Sequence, residues 1–424
     1  MEWKMMLRSL LMAGLGWLVL TVPAAAETIR VFTSYSQGMM DRFEQGFARV
    51  RPDIRVEFQW GHSPDLFATL RGPDQGGVDV VWTPASGAFP VLAREEAFQP
   101  LGDLADGVER KVGGMALGDA EGTYTAFEIA AYGFVVRPDY LARTGLAAPA
   151  TWDDLARPAY AGHLVLPVPA TVGFAPAMIE IPLQHKGWER GWALWAEIAA
   201  NAELMGGGGG VAMINELAEG AKGIGMVMDF FVRGARAEGK PVAFIHPDVT
   251  AFNPAHVAVT AKAPHGEAAR AFVRYVLSED GQRLLMSPEA MRLPVRKALY
   301  AEASAEFPRP FEGRMAAFGY DPHKAIARKE VLKALFDEYV TRRHDRLKEL
   351  FAAIHAAEAE GRTAAAQAAR AEATRLPIGE AAAMDPAVNK ALEQPESEAA
   401  QAVRNAWARE IAVATDRAFA ALAR

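Results

Sequence analysis

Thr28-Ile29-Arg30-Val31-Phe32-Thr33-Ser34-Tyr35-Ser36-Gln37-Gly38 is the stretch from which the fold can be read. A short run of β-branched and aromatic residues ends in a polar turn. Met39, Met40, Phe43, Phe47 and Val50 then recur at helical spacing with charges between them, so the segment reads as strand, loop, helix. Arg51-Pro52-Asp53 stops that helix, and Ile54-Arg55-Val56-Glu57-Phe58 alternates as a second strand. His62-Ser63-Pro64-Asp65 opens another helix, and Val78-Asp79-Val80-Val81-Trp82 follows as a third strand. Strands alternating with helices predict an α/β fold with a doubly wound parallel sheet.

Outward from this unit the pattern repeats. Phe127 to Val136 is an apolar run long enough for one extended strand crossing between two lobes. A second α/β set follows: Leu164-Val165-Leu166, helices over 173–186 and 188–200, and a strand over Gly223 to Met228. His256 to Thr260 brings the chain back, ahead of a helix from Gly266 to Leu277 and another beginning at Ser278. The expected organisation is an N-terminal lobe over 27–130 and 255–310 with a C-terminal lobe, 131–254, inserted into it. Beyond Pro308-Arg309-Pro310 the composition turns to Ala, Glu and Arg. Residues 311–424 are expected to form an all-helical extension clamped onto the lobes. It would hold one to three long helices, broken near Leu376-Pro377-Ile378-Gly379 and Asp385-Pro386.

Residues 1–26 read as a secretory signal: Lys4 and Arg8 precede an apolar run from Leu10 to Val22, and Ala24-Ala25-Ala26 offers a cleavage site. That run is shorter than the ~20 residues of a spanning helix, so export with cleavage is expected, giving a soluble periplasmic protein. Removing Lys4, Arg8 and Glu2 takes a net +1 from the formal charge of -7, leaving -8. A mildly acidic chain has no field that steers it onto nucleic acid or anionic lipid. The 424 residues include no cysteine, which excludes disulfides and thiolate chemistry, and no His or carboxylate spacing matches a metal motif. No cofactor is expected, and a monomer is.

Ile29 to Ser36, Val78 to Trp82, Leu155-Ala156-Arg157-Pro158-Ala159-Tyr160-Ala161-Gly162-His163-Leu164 and Ala268 to Arg283 together resemble the extracellular solute-binding proteins, which include ferric-iron and hexose-phosphate binders. The resemblance implies a two-lobe periplasmic-binding-protein fold that closes on a small-molecule ligand and docks on an ABC transporter permease in the inner membrane. His185-Lys186-Gly187-Trp188-Glu189-Arg190-Gly191-Trp192-Ala193 and the helical C-terminus are similar to a subgroup of that family that senses phosphoglycerate beside a two-component system. That likeness implies a phosphoglycerate-like ligand and a sensor-kinase ectodomain as the alternative partner.

In doubly wound lobes the cleft lies at the carboxyl ends of strands, where helix N-termini present free N–H groups that favour anions. Four turns carry hydroxyl or glycine residues in such places: Ser34-Tyr35-Ser36, His62-Ser63, Thr83 to Ser86, and Thr171 to Gly173. Each Ser or Thr taken alone is more often a simple helix N-cap than a ligand contact; four on the same rim strengthen the binding reading. The family places ligand contacts at the loops matching Ser34, Ser63, Ser86 and Thr171. Asp229 ends a strand at a position where the family presents a side chain to the cleft, and Phe230-Phe231 stand where ferric binders carry paired tyrosines. Phenylalanines cannot ligate a hard cation, so an aromatic wall against an organic anion is the better expectation, with lobe core as the other reading of Phe230.

Arg71, Arg137 and Arg233 are candidate anion-binding cations. Gly206 to Gly210 lacks the Lys-Ser/Thr ending of a nucleotide P-loop and reads as a helix lead-in or a plain turn. Trp188, Trp192 and Trp195 read as an apolar stripe packed on the lobe, not a sugar platform. No GxSxG elbow is present, and Thr151-Trp152-Asp153-Asp154 reads as a capped helix start, so catalysis is not expected.

Overall fold

A computed structural model describes residues 26–424 except 86, 288, 289, 291, 305, 306 and 314–316. Ser86 and all but the last residue of the expected signal segment lie outside the described residues. The strands are β1 Glu27–Thr33, β2 Ile54–Trp60, β3 Val80–Thr83, β4 Lys111–Val112, β5 Met115–Ala116, β6 Thr125–Val136, β7 Leu164–Pro167, β8 Ala202–Met205, β9 Ile224–Met228, β10 Ala243–Ile245, β11 Phe252–Val259 and β12 Leu293–Pro294. Their order is β2-β1-β3-β11-β6-β9-β7-β8, with β10 and β12 also pairing to β6 and with β4-β5 forming a separate ribbon.

Each lobe is parallel where βαβ crossovers build it: β1 with β2 and β3, and β7 with β8 and β9. The seam between the lobes is antiparallel, because the chain reverses there to leave one lobe and return. Strand β6 spans the seam. Its residues from Thr125 to Ala131 pair with β11, and Tyr132 to Val136 pair with β9. All twelve residues of β6 are buried, as the apolar run predicts.

The N-terminal lobe shows the period-two signature of a sheet covered on both faces. Ile29, Val31, Val80 and Trp82 face a core with Phe43, Phe47 and Phe272 from helices Gln37–Val50 and Gly266–Leu277. Phe32 and Val81 face the opposite core with Leu66, Leu70 and Phe89. His256 is buried there between the rings of Phe89 and Tyr124, each 5.0 Å away.

Among the described residues, the expected one to three long C-terminal helices give way to seven shorter and longer ones from Pro322 onward: Pro322–Ala327, Lys329–Tyr339, His344–Ala359, Thr363–Ala373, Glu380–Ala383, Pro386–Leu392 and Glu398–Leu422. The Ala-rich composition hid the breaks at Arg328, Val340 and Gly361, which carry no proline. These helices share one continuous core with the second lobe. Trp188, Trp192 and Trp195 are fully buried, and Trp188 Nε1 donates to the Ile378 carbonyl at 2.9 Å. Arg328, itself fully buried, clamps the junction. It donates to both oxygens of buried Glu180, at 2.8 and 2.6 Å, and to Glu380 at 2.6 Å, with its guanidinium 4.7 Å from the centre of the Trp188 ring.

Two stability predictions follow from these burials. Arg328→Met leaves the Glu180 carboxylate buried and uncompensated and should cost about 3–5 kcal/mol in urea unfolding, whereas the Glu180→Met/Arg328→Met double variant should recover much of that loss. Burial also pushes the His256 imidazole down to about 3. Below its ordinary pKa of about 6.5 the unfolded chain therefore takes up a proton that the folded chain refuses, and stability is lost as pH falls. His256→Phe should gain on the wild type by about 3 kcal/mol between pH 7 and pH 4 in matched urea titrations, and parallel curves would contradict this.

Candidate ligand site between the lobes

Three loops converge where β1, β2 and β3 end. Ser34 Oγ and Thr83 Oγ1 share a 2.7 Å hydrogen bond that ties the ends of β1 and β3 together. Trp60, half-exposed at the end of β2, donates its indole N–H to the Tyr35 carbonyl at 3.2 Å, and its ring meets His62 edge-on at 4.7 Å. His62 and Ser63 are exposed at the start of helix Ser63–Leu70, where the His62 backbone N–H donates to the Asp65 carboxylate at 2.8 Å. Ser36 is the N-cap of helix Gln37–Val50, yet its hydroxyl makes no capping bond among the described residues.

The facing lobe contributes helix Asp229–Ala237, which starts directly after β9. Asp229 is fully buried and forms an ion pair with Arg233, one turn on, at 2.9 Å. The rings of Phe230 and Phe231 lie 4.2 Å apart. Phe231 packs over Gly210 so closely that a Cβ there would sit 2.3 Å from the ring, and Gly207, Gly208 and Gly209 adopt φ of +87°, +69° and +61°. Close approach and left-handed backbone account for the glycine run as the lead-in to helix Gly209–Glu219. Thr171 and Gly173 are exposed beside it; Thr171 Oγ1 would lie 3.7 Å from a Cβ on Gly206.

Between the lobes is a pocket of ≈ 230 Å³. Ser36, Gly38, Met39 and Arg42 line it from one side, Phe230 and Gly234 from the other, and Ala290 and Arg292 close it. The Arg292 guanidinium lies 3.8 Å from the centre of the Phe230 ring and 5.8 Å from that of Tyr35. Arg292 Nη1 is 3.4 Å from Glu128 Oε1, and the Tyr35 hydroxyl donates to that same oxygen at 2.6 Å. Burial, then the Glu128 charge, raises the Tyr35 phenol well above its ordinary value, so it stays a neutral donor. Burial also raises Glu128, against the opposing pull of Arg292 and the Tyr35 hydrogen bond. Two guanidinium groups, the first turn of a helix and the Ser36 hydroxyl thus border one pocket.

The structure therefore brings Tyr35, Ser36 and Phe230 together around the pocket, with Ser34 and Thr83 behind them. His62 and Ser63 stand at the neighbouring strand end, and Thr171 and Gly173 border the glycine run. Arg71 and Arg137 lie elsewhere: Arg71 pairs with Glu95 on the surface, and Arg137 pairs with Asp139 and donates to the carbonyls of Leu217 and Ala218. Sequence reasoning missed Arg42, Arg292 and Glu128. Glu128 had a signal, being the lone charge in an otherwise uncharged strand; Arg292, in a loop before a two-residue strand, had none. A larger groove of ≈ 690 Å³ lies between the second lobe and the C-terminal helices, lined by Lys186, Glu197, His355 and Arg370 among others, but it draws on only one lobe.

Two α/β lobes that share crossover strands around a polar pocket define a two-lobe solute receptor. Residues 30–283 match the family described as bacterial extracellular solute-binding protein, and the chain belongs to that family. It is similar to the phosphoglycerate transport regulatory protein PgtC of Salmonella typhimurium and of Salmonella typhi, 30% identical to each over 239 residues, which is 56% of this chain. The match spans 58% of the length of those curated relatives. Among solved structures, iron-bound HitA from Pseudomonas aeruginosa shares 16% identity at a TM-score of 0.56, covering 72% of this chain and 99% of that one. The periplasmic binding protein AfuA from Actinobacillus pleuropneumoniae, with exogenous fructose-6-phosphate bound, shares 16% at 0.54, covering 73% and 98%. A putative extracellular solute-binding protein from Bordetella parapertussis shares 14% at 0.60, covering 74% and 98%. These likenesses establish the fold.

The idle Ser36 hydroxyl gives a direct check on the site. Ser278 caps helix Glu279–Met286 through a 3.1 Å bond from the Gly281 N–H, so Ser278→Ala should cost about 1 kcal/mol in chemical denaturation. Ser36→Ala should cost less than about 0.5 kcal/mol, since no cap bond is lost. Equal losses would show that Ser36 works as a cap.

Proposed function

We propose that this protein is the periplasmic substrate-binding component of an ABC-type importer and captures a small organic anion, phosphorylated or carboxylated, by hinge closure. The observation that carries this reading is the pairing of Arg42 and Arg292 with the first turn of helix Gln37–Val50 in a pocket walled by both lobes. A ligand bridging Ser36 and Arg292 on one side and Phe230 on the other binds the closed form more tightly than the open one, and that difference drives closure. The pocket volume lies below the ~300 Å³ at which drug-sized sites begin, which suits a metabolite of a few carbons. Similarity to a phosphoglycerate transport regulatory protein supports a three-carbon phosphorylated acid as the first candidate. Phe230 and Phe231 offer no hard ligand to a ferric ion. No bond-breaking step is assigned to the site, and the ligand leaves unchanged.

A second reading, in which the ligand-closed form is presented to the ectodomain of a two-component histidine kinase, is favoured by the helices from Pro322 to Leu422. They do not line the pocket. Because they share a core with Trp188 and Trp192, removing everything after Gly313 should unfold the second lobe, so docking is better tested with surface substitutions on the intact chain.

Titration calorimetry with 3-phosphoglycerate, fructose-6-phosphate, citrate and Fe(III) tests the proposal. One of the organic anions should bind at one per chain, and Arg292→Ala should weaken it about 10–100-fold through loss of charge-assisted hydrogen bonds. Binding of Fe(III) alone, or conversion of the ligand, would refute the reading.

A further inference from the structure

Strand β6 carries one charged residue, Glu128, with 2% exposure at the seam of the lobes. It is flanked by Ala255 of β11 and Pro294 of β12, and proline has no N–H to offer. Its Oε1 accepts the Tyr35 hydroxyl at 2.6 Å and lies 3.4 Å from Arg292 Nη1. Its Oε2 is buried and has no hydrogen-bond partner among the described residues, and the same holds for Arg292 Nε. An isolated buried carboxylate oxygen costs a few kcal/mol, so a residue left in this state calls for a reason.

The charges around it supply one. Tyr35 comes from the loop after β1, Arg292 from the loop before β12, and Asp229 and Arg233 from helix Asp229–Ala237; all act on Glu128 electrostatically. His246, next to β10, and Tyr300, in the turn Lys297–Ala301, lie within the field of Asp229 and Arg233, and burial holds His246 toward its neutral form. An anion that draws on Arg292 takes from Glu128 the one cation within 4 Å of it among the described residues, and a carboxylate left without that countercharge in low-dielectric surroundings is strongly penalised.

Building on the proposed anion site, we propose that the pocket takes up a proton together with an anionic ligand and that Glu128 receives it. The proton goes to the unpartnered Oε2, Oε1 keeps the Tyr35 hydrogen bond, and Arg292 is released to the ligand. Glu128 is a positioning residue: it does not line the pocket and acts through Arg292. Its upward shift by burial, present before ligand arrives, is in the direction this requires. Proton uptake makes affinity rise as pH falls, by up to about tenfold per pH unit for one proton taken up.

The test is titration calorimetry of the full chain with 3-phosphoglycerate in two buffers of different ionisation enthalpy between pH 6 and pH 8. The wild type should take up more protons than Glu128→Gln, which keeps an acceptor for Tyr35 but cannot titrate. Subtracting the two removes the ligand's own phosphate ionisation, whose pKa is about 6. The variant should also lose most of the pH slope of affinity while still binding. Equal uptake in both proteins overturns the proton inference and leaves the anion site standing, whereas no binding by the wild type removes both. Should Glu128→Gln fail to fold, infrared difference spectra of the wild type decide: a protonated-carboxyl band must appear on addition of 3-phosphoglycerate at pH 7, and its absence overturns the proposal.

Discussion

Strand β6 is the constraint on which the rest of this structure depends. It is the longest strand among the described residues, and its pairing with β11 along one half and β9 along the other joins the two βαβ units into one sheet. Because every residue of it is buried, it cannot shift register without moving apolar side chains off both cores at once. Relative motion of the lobes must therefore come from bending of the crossing strands. The pairing between β11 and β6 is irregular at Ala255/His256, next to Glu128, which gives such bending a natural place. The one charged residue of the strand thus lies beside this irregularity.

Much of this was legible in the sequence because the elements that build a lobe have strong periodic signals. Ile29 and Val31 alternate with Arg30 and Phe32, Met39 to Val50 repeat at helical spacing, and Phe127 to Val136 is apolar but for Glu128, so strand, helix and crossover are all visible. The pocket was legible only in part. Loops at the ends of β1 and β9 could be located from strand order, which yielded Tyr35, Ser36 and Phe230. Which arginine reaches them depends on how distant segments fold back, and no spacing rule links Arg292 to Tyr35 across 257 positions of chain. The helical extension was visible as composition but not as seven helices, since alanine-rich turns end a helix through backbone geometry and not through proline.

The extension completes the second lobe. Trp188 and Trp192 lie on a helix of that lobe, yet their partners include Phe336, Tyr339 and the Ile378 carbonyl from the C-terminal helices. A family member without the extension would need different residues at these positions to avoid exposing two indoles. Arg328 explains why the junction is specific as well as apolar: a bidentate guanidinium–carboxylate pair tolerates only one geometry, so the helices dock in one register.

The chemistry of the pocket follows from where its acidic and basic groups are committed. A phenolic oxygen could serve a hard cation only by giving up its proton, and the Tyr35 hydroxyl is buried against a carboxylate that makes this harder. The ring of Phe230 has no oxygen to offer and is instead covered by Arg292, whose guanidinium lies 3.8 Å from the ring centre and lines the pocket. A guanidinium matches the paired oxygens of a carboxylate or a phosphate ester, and the N–H groups at the start of helix Gln37–Val50 add partial positive charge from the same lobe. Under the proposed reading, an anion held by these groups of the first lobe would meet Phe230 of the second only when the cleft is closed, and that extra contact would favour the closed form. The preference for closure would then rest on residues that the shared strand holds in place.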